Sequence, residues 1–206
     1  MTGDHDRQQD SWSHLGPMAN RGGAGYPDLL TQVRRLQDAV VGASAPNETI
    51  VAVARHLSEI ASELEQYEVP EAQAPVGTRT DLPGRGHPFL VPHVVDSWTD
   101  SRVEAHVTFT RFYLGGNGAA HGGALPLLFD EVLGRLSSGG GRKVARTAYL
   151  HVNYRHITPI GRRLELEATF DREEGRKRYI SARLRDGDVV VADADGLFVE
   201  LRPGQP

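Results

Sequence analysis

The triplet His121-Gly122-Gly123 is followed, seven residues after its last glycine, by the carboxylate of Asp130. Between them lies the start of an apolar segment, GGALPLLFDEVLGRLSS, spanning residues 122–138. Pro126 has no N–H to bond back into a preceding turn, so it is easiest in a first turn, and the helix begins near Gly123. The N–H groups of Gly122 and Gly123 are then free at a helix N-terminus, where partial positive charge gathers. Glycine also lets a ligand approach the backbone closely. At about 100° per residue, Gly123, Pro126, Asp130, Gly134 and Ser137 fall on one stripe. A carboxylate two turns after an anion-stabilising N–H pair can serve acid–base or nucleophilic chemistry on a carbonyl. The plainer reading is that the small residues admit a packing neighbour and Asp130 accepts a hydrogen bond. Geometry alone leaves both open.

Other candidates carry less. Adjacent helix residues do not face each other, so Asp130 and Glu131 are no paired-carboxylate site; Glu131 and Arg135 read as an exposed i,i+4 pair. His151 and His156 are five apart on an expected strand and point to opposite faces. No HExxH or comparable spacing exists, so no metal is expected. No GK[ST] follows Gly139–Gly141, which reads as a helix terminator. The basic cluster Arg172, Arg176, Lys177, Arg178, with Arg183 and Arg185, is able to grip phosphates, or else keeps a sheet edge soluble. Ser137 and Ser138 lack a GxSxG context.

The elements that must position these groups follow from the apolar pattern. Leu29, Leu30, Val33, Leu36 and Val40 recur at helical steps from Tyr26, and Gly42 and Pro46 end that helix. Asn47 caps a second helix, whose one apolar face is Ile50, Val53, Ala54, Leu57, Ile60, Ala61 and Leu64. The helix bearing Asp130 is apolar on most sides and therefore buried. Around it, strands are expected at 91–97 and 102–112, then at 144–156, 162–171, 176–185 and 188–201. Turns at Glu174-Gly175 and Asp186-Gly187 fit hairpins. The class is α+β with an antiparallel sheet. The expected organisation is a disordered polar tail at 1–25, a helical pair at 26–69, a Pro/Gly-rich linker at 70–86 and a sheet domain at 87–203.

Composition narrows the function classes. The 206 residues include no cysteine, which excludes disulfides, thiolate metal sites and a cysteine nucleophile. The net charge is −4, divided as −5 over residues 1–86 and +1 beyond, which gives no nucleic-acid footprint. No apolar run approaches a membrane span. The start, MTGDHDRQQD, lacks a signal-peptide pattern, so a cytosolic location is expected.

His121-Gly122-Gly123 with Asp130, and the strand Thr147-Ala148-Tyr149-Leu150-His151-Val152-Asn153-Tyr154 with Arg155 and Thr158-Pro159-Ile160-Gly161, resemble the hotdog-fold acyl-CoA thioesterases. The similarity is to the phenylacetate-pathway and THEM-type branches and covers about residues 87–203. It implies a hotdog fold, an antiparallel sheet wrapped around a long central helix, here with an N-terminal helical extension. It further implies hydrolysis of an acyl-CoA or acyl-carrier thioester. Asp130 would be the general base or nucleophile. Gly122, with Gly123, would form the oxyanion hole. Thr147 would orient water or the carboxylate, and His121 would shape the loop. In this family the site lies between two subunits, so a homodimer or dimer of dimers is implied, with Asp130 facing the glycines of its partner. No cofactor is implied beyond the coenzyme A of the substrate. The departure is Gly115, where some relatives carry an Asn. Asn117 lies nearby in a different register and is a substrate-binding candidate or a turn residue. Gly134, Arg176, Lys177 and Arg178 complete the substrate-binding candidates. The rival readings are a hotdog hydratase or dehydratase, for which the helix offers no His, and a non-catalytic acyl or aromatic ligand binder. The apolar faces of residues 26–68 are expected to bury against the sheet domain.

Overall fold

The computed structural model describes residues 21–202 and 204. The expected tail lies outside the described residues except for 21–25. Two helices come first, α1 (Tyr26–Gly42) and α2 (Asn47–Glu65). Asn47 is the first helical residue rather than the cap. The extended Pro46 precedes it, and no side chain caps the end.

Then come β1 (His93–Trp98), β2 (Arg102–Thr108), a small hairpin of β3 (Leu114–Gly116) and β4 (Ala119–Ala120), and helix α3 (Ala124–Ser137). Four strands follow: β5 (Ala145–Tyr154), β6 (Arg163–Glu174), β7 (Lys177–Asp186) and β8 (Val189–Glu200). They form one six-stranded sheet in the order β1-β2-β6-β7-β8-β5, with every pairing antiparallel. The expected strand–strand–helix–four-strand order is present, with the β3–β4 hairpin as an addition. Among the described residues, no helix is long and apolar enough to cross a membrane.

The sheet wraps α3. Leu125, Leu128, Phe129, Val132, Leu133 and Leu136 are each at most 1% exposed. They share one core with Val103, Ala105 and Val107 of β2, Leu164 and Leu166 of β6, Ile180 and Leu184 of β7, and Phe198 of β8. Alternation along β2 supplies this face, as period-two patterning requires. At Gly196, an added Cβ would meet the Phe198 ring at 2.8 Å, with Leu133 of α3 next at 3.5 Å, so the bare backbone makes room there.

Residues 70–86 are not a free connector. Arg79 is 4% exposed and forks onto Asp81 at 2.8 and 2.7 Å. The Tyr26 hydroxyl donates to Gly86 O and Arg34 donates to Pro83 O, tying α1 to this segment. Asp38 of α1 accepts the Phe112 N–H at 2.7 Å. Helix α2 differs from expectation: none of its residues is buried, so its apolar face does not pack on the sheet domain. Its connection to α1 is short, and α1 itself takes the docking position.

The expected Glu131–Arg135 surface pair is also corrected. Glu131 accepts both Nε and Nη2 of Arg85, and its side chain is only 8% exposed. Arg135 lies over the Trp98 ring at 5.1 Å, and burial holds its guanidinium below its usual basicity. Arg85 reaches Glu131 from a left-handed backbone, φ 53°, on a turn 46 residues upstream. Replacing Arg85 by Met leaves a buried carboxylate unpaired. The expected loss is about 3 kcal/mol of unfolding free energy in denaturant titration.

Candidate functional site

Asp130 is the polar exception on an otherwise covered helix: its neighbours Leu128, Phe129 and Val132 are buried, while it is exposed in the single chain. Across from it, the Thr147 hydroxyl donates to Asp130 Oδ1 at 2.7 Å. Strand β5 supplies that hydroxyl through an irregularity. Thr147 pairs with Phe198 and Tyr149 with Leu197, leaving Ala148 as the extra residue of a bulge. A bulge re-aims the side chains beside it and increases local twist. With one carboxylate oxygen held by Thr147, the other is left to take a water or a reacting atom.

The glycine loop is built from four hydrogen bonds. His121 N–H donates to Tyr113 O, and Ala124 N–H donates to His121 O. Gly123 N–H donates to His121 Nδ1 at 3.0 Å. The Tyr154 hydroxyl, from the end of β5, donates to Gly122 O at 2.9 Å. The expectation of two free N–H groups is therefore corrected. Gly123 is committed to the imidazole, and among the described residues Gly122 N–H makes no hydrogen bond. His121 acts here as an acceptor that sets the loop. Tyr154 was legible only as part of the strand motif; its hold on Gly122 joins residues 32 apart, which spacing does not show.

Helix geometry sets a separation. At 1.5 Å per residue, Asp130 stands about 10 Å along the axis from Gly123. Its side chain leans back toward the N-terminus and recovers only a few Å of that. One carbonyl carbon needs both an attacking group and an oxygen donor at roughly 3 Å. The Asp130 and Gly122 of a single chain do not meet that condition together.

The remaining candidates disperse. Asn117 and Gly118 are the two central residues of the β3–β4 turn, with φ 49° and 73°. Asn-Gly with both φ positive is the preferred two-residue hairpin turn, which accounts for Asn117 without a ligand. Gly134 faces the Phe198 ring, where a Cβ would sit at an ordinary 3.6 Å. Arg178 is corrected as a phosphate contact. It is 2% exposed, pairs with Glu173 and Glu200, and donates to the carbonyls of Ser137 and Lys143. It ties β7 to the C-terminal end of α3, the end away from Gly122. Arg176 donates to Glu200 O at that same end, and Lys177 is exposed beside it.

Residues 117–192 match the model of the family described as the thioesterase superfamily. Over 88 residues the chain is 33% identical to acyl-coenzyme A thioesterase THEM4 of Bos taurus, covering 42% of this chain and 35% of that protein. Over 91 residues it is 30% identical to the Mus musculus protein of the same name, covering 43% of this chain and 39% of that one. The chain thus spans between a third and two fifths of the length of these curated relatives. A solved structure of a thioesterase superfamily protein superposes with a TM-score of 0.74 at 29% identity, covering 87% of this chain and 97% of that one. That coverage exceeds what the part beyond Gly86 alone supplies, so it extends into the N-terminal region. The resemblance read from residues 121–130 and 147–154, and the hotdog fold with its helical extension, are borne out.

Gly115 gives a test of the loop. A Cβ there would lie 2.7 Å from His121 Cα, so no side chain fits without moving His121. Gly115→Asn, which restores the residue type some relatives carry, is therefore expected to lower the melting temperature by several degrees and to impair turnover. The check is a thermal melt beside an activity assay of the same preparation.

Proposed function

We propose that this chain, which carries a thioesterase superfamily domain, hydrolyses acyl-coenzyme A thioesters to a free acid and coenzyme A. The observation that carries the reading is the 2.7 Å hydrogen bond from Thr147 to Asp130, on the helix that opens with an unengaged Gly122 N–H. Relatives named acyl-coenzyme A thioesterase resemble the chain over 88 to 91 residues, and the thioesterase superfamily model matches residues 117–192, which hold Asp130 and Thr147.

Thr147 fixes one oxygen of Asp130 and leaves the other to accept a proton from water. That water attacks the thioester carbonyl carbon while Asp130 takes the proton as general base. The carbonyl oxygen becomes an oxyanion held by Gly122 N–H at the helix N-terminus, where the dipole favours negative charge. Collapse of the tetrahedral intermediate breaks the C–S bond. The departing thiolate takes the proton from Asp130, which restores the carboxylate.

The roughly 10 Å between Asp130 and Gly123 along α3 is the reason the working unit in this reading is a homodimer. Asp130 of one copy acts on a carbonyl whose oxygen rests on the Gly122 N–H of the other. Strand β5 supports that arrangement. It is a ten-residue sheet edge, hydrogen-bonded to β8 on one side, and it exposes Tyr149 and Tyr154. A long edge strand of this kind is a template for pairing with another chain. The site draws on carboxylate and backbone chemistry, and coenzyme A enters as part of the substrate.

The test is release of free thiol from a panel of acyl-CoA esters. Wild type is expected to turn over at least one ester, and Asp130→Asn to lose about 100-fold or more in kcat. Equal rates for the two proteins would contradict the role of Asp130. Gly122→Val has room to fold, since the nearest atom to an added Cβ is the Tyr154 ring at 3.7 Å. It is expected to keep its melting temperature and lose activity by blocking the carbonyl. Hydration of an enoyl-CoA by the same enzyme, without thiol release, would replace hydrolysis by the hydratase reading.

A further inference from the structure

Helix α2 carries a pattern that the sheet domain does not use. Ile50, Val53, Leu57, Ile60 and Leu64 are spaced three and four apart in strict alternation, and Tyr67 continues the series just beyond the helix end. That is a heptad seam with every a and d position apolar. The seam is open: Ile50 is 54% exposed, Ile60 51% and Leu64 51%. A helix of nineteen residues with its apolar stripe in water gains little stability from propensity alone and requires a partner surface. The chain's own sheet domain does not supply one, because α1 occupies the docking position against residues 83–88.

We propose that α2 pairs with α2 of a second copy of this chain, antiparallel, about a two-fold axis that crosses the helix between Ser58 and Glu59. The layers then become Ile50 with Tyr67, Val53 with Leu64, and Leu57 with Ile60, and each repeats in reverse on the other side of the axis. The same operation sets Ala54 against Ala61 on one flank, where two methyl groups let the backbones approach. On the other flank it sets His56 against Glu63, an imidazole that can donate to a carboxylate. A parallel pairing sets His56 against Ala61 instead and leaves Glu63 without that base. The charge pattern thus selects both the partner, a second copy, and its direction. This contact is separate from the β5 edge and independent of the thioesterase reading, since no residue of the catalytic site takes part.

The chain has no cysteine, so a single introduced cysteine carries a spin label at one defined site. Ser58→Cys and Glu48→Cys both place the label off the seam. Antiparallel pairing puts the two Ser58 sites nearly level, one helix spacing of about 10 Å apart before the label is counted. It separates the two Glu48 sites by roughly 30 Å along the axis. Dipolar spectroscopy on the full chain is therefore expected to give a short distance at Ser58 and a long one at Glu48. Both are expected to disappear when Leu57→Glu and Leu64→Glu are added, while thiol release from acyl-CoA and the melting of the sheet domain persist. Equal distances at the two sites, no coupling at Ser58, or distances that survive the double glutamate change would each overturn the proposal. Loss of thiol release in the unaltered protein would count against the thioesterase reading and leave this one standing.

Discussion

Helix α3 cannot face water on any broad side, and the rest of the domain follows from that constraint. Its six large apolar residues at most 1% exposed require a surface that curves around them. An antiparallel sheet with alternating in-facing residues provides it, and glycine at 196 gives the Phe198 ring its place beneath Leu133. The same burial fixes what remains outside. Asp130 is the exposed position among α3's otherwise buried and half-buried residues, and the Thr147 hydroxyl, beside the bulge at Ala148, donates to it. A carboxylate is thus held at a set position by a helix whose own freedom has been removed.

A single rigid helix has a cost for catalysis as well as a use. It presents a carboxylate in its middle and unpaired N–H groups at its start, but its 1.5 Å rise keeps them about 10 Å apart. Flexing does not close that gap in a helix this well buried. In the proposed homodimer a second copy's helix brings the missing group to the same carbonyl, and the exposed β5 edge is the surface proposed to deliver it. Placement of the glycine loop follows a similar economy. His121 and Tyr154 hold Gly123 N–H and Gly122 O, which leaves Gly122 N–H without a hydrogen bond among the described residues.

Much of this was legible in the residues. Period-two alternation gave β2 and the later strands, the all-round apolar pattern gave α3 as the buried helix, and His121-Gly122-Gly123 with Asp130 named the candidate site. What escaped depends on contacts between distant positions. Glu131 was read against Arg135 on its own helix, but its partner is Arg85, carried by a turn with left-handed backbone that local spacing does not reveal. Arg178 belonged to a basic run that reads as surface; burial under two carboxylates and two carbonyls makes it a tie instead. Gly123 counted as a free donor because backbone spacing does not show an imidazole folding back over two residues. The apolar face of α2 was correctly seen as a face, but amphipathicity says that a surface must be covered and not by what.

The central claim is that Thr147 and Asp130 act as one unit, with the hydroxyl positioning the carboxylate that handles the proton. A double-mutant cycle on kcat tests it directly, using Thr147→Val, Asp130→Asn and the two combined. If the hydroxyl works through the carboxylate, Thr147→Val slows turnover in the parent but adds no further loss once Asp130 is Asn. Losses that multiply in the combined variant would contradict the account, because each residue would then act on the thioester alone.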